Sequence, residues 1–211
     1  MKIIFRQGQV SIYKHQVGIT GFQYLIAENR RLTLIDSGLP GSHSSILRSI
    51  QRLGYKPADL QSILITHADP DHYGAAHALK EVCGAEVYAS QKEAACMQTG
   101  GMSRVMQPQG LEAIYSLLLP LYTIPPVAVD HIVKADDRLD VLGGLTIINS
   151  AGHTPGHISF YASVFGILFS GDSIKIRGKK LSIYQGGTTW DIDSARRSLN
   201  RQTKHPIYHL L

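Results

Sequence analysis

Apolar and polar residues change periodicity along this chain, and the changes mark out its elements. In the first third, short apolar runs with two-residue alternation predict strands over residues 2–5, 10–13, 22–27 and 32–35, parted by glycine or polar turns. Asp36-Ser37-Gly38 closes the last of them. Ile46, Ile50 and Leu53 then recur at helical spacing between Gly41-Ser42 and Gly54, which predicts a helix with a glycine stop. Ile63-Leu64-Ile65 reads as a short buried strand, Gly74-Ala75-Ala76-His77-Ala78-Leu79 opens a helix that runs to about residue 82, and 86–89 reads as a strand.

From Gln91 to Val127 the pattern breaks. Gly100-Gly101, Pro108, Gly110, Pro120 and Pro125-Pro126 cut it into short pieces, with residues 111–119 as an apolar helix inside an insertion-like segment. A second strand series follows over 139–142, 145–150, 158–161 and 167–169. Trp190 precedes Asp191-Ile192-Asp193-Ser194, an N-cap region for a helix through Leu199, and 207–211 reads as a final strand. The elements predict an α/β fold of two packed sheets with helices outside, a four-layer αββα sandwich. Layer logic alone also allows a three-layer mixed sheet.

Composition narrows the class. The 211 residues suffice for one folded unit spanning 1–211, and 44% hydrophobic with 18% charged residues is ordinary for a globular domain. The net charge of +5 comes from scattered Lys and Arg without a basic stripe, so no nucleic acid partner is expected. The N-terminus turns polar too soon for a signal-peptide core, and the longest apolar stretch, near Ile158 to Phe169, falls short of a membrane span. A cytoplasmic protein with no membrane partner is expected, with Cys83 and Cys96 as buried free thiols.

Chemistry concentrates in three strand-end loops. Thr66-His67-Ala68-Asp69-Pro70-Asp71-His72 lies between an apolar strand and a helix, and its two His and two Asp offer imidazole nitrogen and carboxylate oxygen to divalent ions. Gly152-His153-Thr154-Pro155-Gly156-His157 forms a tight loop between two strands. Phe169-Ser170-Gly171-Asp172 again sets a carboxylate just beyond an apolar strand. A ligating His usually donates its other N–H to a carboxylate, hydroxyl or carbonyl, which makes Asp36 and Thr66 candidates for orienting the cluster; His157 either does the same or packs.

In this order the motifs resemble the metallo-β-lactamase-fold hydrolase superfamily, whose pattern runs His-x-His-x-Asp-His, a His in a Gly-His-Thr-Pro-Gly-His-like loop, Gly-Asp and a terminal His. The resemblance covers nearly the whole chain, Asp36-Ser37-Gly38 included, and implies the αββα sandwich with metals at the edge between its sheets. By it, His67, Asp69 and His153 would hold one divalent ion, Asp71 and His72 a second, and Asp172 would bridge them. It implies one or two such ions, zinc first with iron or manganese as alternatives, and metal-assisted hydrolysis in which Asp71 accepts or relays a proton as the catalytic carboxylate.

Two departures stand out. Position 69 is Asp where the pattern has His, which adds negative charge to the first site, and the chain ends at Leu211 without a Pro-Gly-His-type ligand segment. The second ion would then have three protein ligands, and the first site is expected to fill more completely than the second. His205 and His209 read as residues flanking the last strand rather than as replacements.

The substrate side is a small molecule: an ester, lactone or thioester. Met97, Met102, Arg104, Met106, Tyr115 and Tyr122 lie where the family places covering elements, and each either lines the substrate or packs on the surface. Lys175, Arg177, Lys179 and Lys180 read as a basic solvated turn, with attraction of an anion as the alternative. A di-iron redox protein and a catalytically weak, metal-poor binding scaffold are the rival functions. Oligomeric state leaves no mark in the sequence.

Overall fold

The computed structural model describes residues 1–16, 21–104, 124–178, 180–185 and 187–211. The expected helix over 111–119, together with Met106, Tyr115, Tyr122 and Lys179, lies outside the described residues.

Seven strands form the first sheet in sequential order: β1 (Lys2–Gln7), β2 (Val10–His15), β3 (Gln23–Glu28), β4 (Arg31–Ile35), β5 (Leu60–Leu64), β6 (Glu86–Ser90) and β7 (His131–Val133). Pairing is antiparallel through β4 and parallel from there to β7. Parallel neighbours need crossovers, which here carry helices α1 (His43–Arg52), α2 (Pro70–Tyr73), α3 (Ala76–Cys83) and α4 (Gln91–Met97). The second sheet holds β8 (Arg138–Leu139), β9 (Leu145–Asn149), β10 (Ile158–Ala162), β11 (Ile167–Phe169) and β14 (His209–Leu210), in the order β14-β11-β10-β9-β8. Between its last two members run a hairpin, β12 (Lys175–Arg177) with β13 (Lys180–Ser182), and α5 (Ile192–Gln202).

Side chains alternate across each strand, and the alternation builds three separate cores. Leu25, Ala27, Leu34 and Ile63 face the helices α1 and α3, among Ile46, Ile50 and Leu79. Their neighbours Tyr24, Ile26, Ile35 and Leu64 face the other way and pack on Ile147, Ile158, Phe160 and Phe169 of the second sheet. On that sheet's outer face, Ile148, Tyr161 and Leu168 pack with Leu199 of α5. Three cores between successive layers make the four-layer sandwich that the sequence predicts.

Boundaries differ where the pattern had little to work with. The strand expected over 139–142 is only Arg138–Leu139, because Leu142 turns into left-handed backbone at φ 54°. The final strand, expected over 207–211, pairs only at His209–Leu210. The ligand turn is itself a helical turn, since Pro70 at the first helical position follows Asp69 in the capping place. Both cysteines are free; Cys83 is buried, which pushes its thiol up to about 11, whereas Cys96, expected to be buried, is only half-buried. No helix among the described residues is long and apolar enough to cross a membrane.

Candidate metal centre

All three predicted loops meet at one edge of the sandwich. Asp36 follows β4 and Thr66 to His72 follow β5, so they come from the first sheet; His153 sits between β9 and β10, and Asp172 follows β11 of the second. Ile158 N–H donates to the Thr66 carbonyl at 3.0 Å, which stitches the two sheets together beside the cluster.

Asp36 organises the first-sheet side. It is buried at φ 56°, a left-handed conformation that a non-glycine residue adopts under constraint. Its Oδ1 accepts from the Thr66 backbone N–H, and its Oδ2 accepts from Thr66 Oγ1 and His72 Nδ1, all at 2.8 Å. A carboxylate only accepts, so His72 carries a proton on Nδ1 and turns Nε2 inward. Thr66 has spent its single hydrogen on Asp36; toward His67 Nδ1, 2.9 Å away, its oxygen accepts. His67 is therefore also protonated at Nδ1, and its Nε2 faces the cluster.

His157 is protonated on the same nitrogen, but its Nε2 is already engaged. Its Nε2 accepts from the Asp172 backbone N–H at 3.2 Å, while Nδ1 donates to Ser150 Oγ at 2.7 Å. With both nitrogens engaged it positions the Asp172 loop and stacks on His67 at 4.8 Å. Gly171 is required there: a Cβ on its left-handed backbone (φ 51°) would come within 2.9 Å of His157 Nε2 and 2.8 Å of Thr66 Oγ1.

Two ligand groups emerge, His67 with Asp69 and His153, and His67 with His72 and Asp172, in each of which the ligand atoms lie within 4.8 Å of one another. His67 Nε2, His72 Nε2 and Asp69 Oδ1 are buried and find no hydrogen-bond partner among the described residues. Orphaned acceptors at a buried cluster of this composition fit a divalent ion, which would take up the unused lone pairs. Asp172 spans both groups, with Oδ1 3.6 Å from His72 Nε2 and Oδ2 3.5 Å from His153 Nε2. Asp71 stands further out, its Oδ2 3.9 Å from His72 Nε2.

The field of the cluster is strong. Burial pushes the Asp69 carboxyl up, but His67 and His153 outweigh it and hold the group well below the usual range. Asp172 is also lowered, as His72, His153 and His67 together overcome its burial. Asp71 moves the other way, raised chiefly by burial. Burial lowers His72, yet Asp36, Asp71 and Asp172 together carry it well above its ordinary value. Burial and three neighbouring imidazoles drive His157 well below.

Two residues that sequence reasoning missed complete the centre. Glu93, fully buried in the first turn of α4, accepts from Ala68 N–H at 2.7 Å and from Gly156 N–H and Thr154 Oγ1 at 2.8 Å, clamping two ligand loops together. Arg104, read from the sequence as a covering or surface residue, is instead buried inside, its Nη2 bonded to Asp69 Oδ2 and 3.1 Å from His153 Nε2. Neither lies at a spacing that ties it to the ligand motifs. His205 and His209 lie against Tyr161 and Phe5.

Beside the cluster opens a cleft of about 320 Å³. His72 and Asp172 stand in its wall, with Phe22, Tyr24, Phe169, Ile174 and Tyr184 as apolar and aromatic lining. Lys14 and Lys175 also line it, their ammonium groups set over the rings of Phe22 and Tyr184.

Comparisons with known proteins agree with this architecture. The sequence profile of the Metallo-beta-lactamase superfamily matches residues 18–207. An uncharacterized protein of Bacillus subtilis, YobT, is 34% identical over 160 residues, covering 74% of this chain and 62% of that protein. A hydroxyacylglutathione hydrolase of Methylobacillus flagellatus is 27% identical over 154 residues, 72% of this chain and 46% of that enzyme. The chain therefore spans less than two thirds of either relative. A solved metallo-beta-lactamase of Cronobacter sakazakii, a HARLDQ-motif mutant, superposes with a TM-score of 0.70 at 28% identity, over 90% of this chain and 70% of that one.

Proposed function

The chain belongs to the metallo-beta-lactamase superfamily, whose members are metal-dependent hydrolases, and from that premise we propose that it hydrolyses a small thioester, ester or lactone. The observation that carries this reading is the pair of inward Nε2 atoms on His67 and His72, orphaned beside a carboxylate whose two oxygens reach both ligand groups. In this reading His67, Asp69 and His153 would hold one ion, His72 and Asp71 would hold another, and Asp172 would serve both. A bound divalent ion supplies Lewis acidity toward the substrate carbonyl and lowers the pKa of a water.

The chain's own residues supply the rest. Asp71, a carboxylate beside the His72 ligand atom, accepts the proton of the attacking water. Asp36 and Thr66 fix the tautomers of His72 and His67 before any ligand arrives. The aromatic cleft seats the acyl portion and keeps water from it. Lys14 and Lys175 favour substrates that carry an anionic group. The hydroxyacylglutathione hydrolase of Methylobacillus flagellatus among its relatives supports thioesters as the first candidates to try.

Metal analysis of the purified protein, combined with a panel of thioester, ester, lactone and phosphodiester substrates, tests this reading. Metal-dependent turnover of a carbonyl substrate, abolished by a chelator and restored by zinc, is the expected result. Turnover of the phosphodiester alone, or hydrolysis indifferent to the chelator, overturns it.

A further inference from the structure

Arg104 puts a permanent positive charge where one of the two ligand groups converges. A guanidinium stays protonated at every working pH, and its side chain here is 2% exposed. Its Nη2 engages Asp69 Oδ2 and His153 Nε2, two atoms that lie 3.2 Å apart; Asp69 keeps Oδ1 open, but the imidazole nitrogen has one lone pair, which an ion held by that pair of residues would need. One N–H group and one ion cannot share the same lone pair. The other ligand group, His67 with His72 and Asp172, makes no hydrogen bond or ion pair with Arg104 among the described residues.

The backbone leading to Arg104 is fastened, so this placement is built into the fold. Tyr73 Oη donates to the Gly101 carbonyl at 2.8 Å, and Ser103 Oγ donates to Glu93 Oε1 at 2.9 Å, the carboxylate that clamps both ligand loops. Among the described residues the guanidinium is held through Nη2 alone. Arg104 Nε and Nη1 are buried with no hydrogen-bond partner among the described residues, and unmade bonds of this kind favour departure.

We propose that Arg104 is a resident cation of this centre, competing with a divalent ion for Asp69 and His153. The His72 side, with Asp172, loads first, and the Asp69 and His153 side loads only as the guanidinium gives way. This reverses the filling order that ligand counting predicts from the sequence. The proposal rests on the metal-centre reading above and adds to it a gate on one of the two positions.

Zinc titration of the full chain by calorimetry, with stoichiometry read by native mass spectrometry, tests the gate without reference to turnover. The wild-type chain is expected to bind one zinc tightly and a second more weakly. Arg104→Met, which keeps the bulk and removes the charge, is expected to raise the second affinity about ten- to a hundredfold, the worth of one charge-assisted hydrogen bond to a buried carboxylate. Arg104→Lys, which keeps a charge without the fork, falls between. Should Arg104→Met fail to fold, Ser103→Ala carries the test: it frees the anchor at Glu93 and raises the second affinity in the same direction. Both zinc ions binding as in the wild type when Arg104 is replaced overturns the gate alone. No zinc uptake by any of these chains overturns the metal-centre reading and the gate with it.

Discussion

Asp36 shows how much one side chain arranges. Its two oxygens accept three hydrogen bonds, and two of them decide, directly or through Thr66, which nitrogen of His72 and His67 stays bare. Asp36→Asn tests this with little change of shape, since Asn tolerates the left-handed backbone that this position requires. Its amide nitrogen must oppose one of the donors now satisfied, so an imidazole or the Thr66 amide loses its partner. Zinc affinity is expected to fall about ten- to a hundredfold, as for other residues that orient metal-binding imidazoles. Calorimetric titration beside the wild type measures it, and an unchanged affinity would show that the tautomers are set elsewhere. Asp36 was readable in the sequence because it ends a strand within a family motif. Arg104 was not, because an Arg in a glycine-broken stretch looks like any surface Arg until the fold brings it to Asp69.

At the scale of elements, what escaped the sequence escaped for want of a buried face. The hairpin of β12 and β13 is almost wholly exposed, so its Lys and Arg pattern read as a solvated turn, and β7 is three residues long with two of them exposed. Helix α4 is seven residues between Ser90 and the Gly100-Gly101 break, too short to display a period. Yet α4 carries Glu93, a buried carboxylate with four donors on it from the Ala68, Ser103, Thr154 and Gly156 positions. Glu93→Ala leaves all four unpaired and is expected to destabilise the protein by about 3–5 kcal/mol, comparable to breaking a buried ion pair from one side. Glu93→Gln keeps an acceptor oxygen and should lose roughly half as much. Urea midpoints for the two variants check the order, and equal, small shifts would mean that the loops hold each other without the clamp.

For the molecule as a whole, strands such as Tyr24-Leu25-Ile26 and Phe160-Tyr161 were legible because they are buried on both faces, and each face belongs to a different core. The same layering puts the candidate centre at a seam: Asp36 and the His67 turn come from one sheet, His153 and Asp172 from the other. An ion held there binds only where the sheets have docked, so its binding free energy adds to the stability of the folded chain. With zinc at a hundredfold excess over its dissociation constant the gain is about 2.7 kcal/mol, which for a domain of this size raises the melting temperature by roughly 5–10 °C over the chelator-treated protein. His67→Ala should remove that rise, because His67 belongs to both ligand groups. In chelator, however, the variant should melt within about 4 °C of the wild type, since the loop imidazole stacks on His157 but none of the three cores is built on it. Thermal unfolding of both chains with zinc and with chelator gives the four temperatures needed. A full zinc-dependent rise in His67→Ala would place the ion on other ligands; a large loss in chelator would make His67 part of what holds the two sheets together.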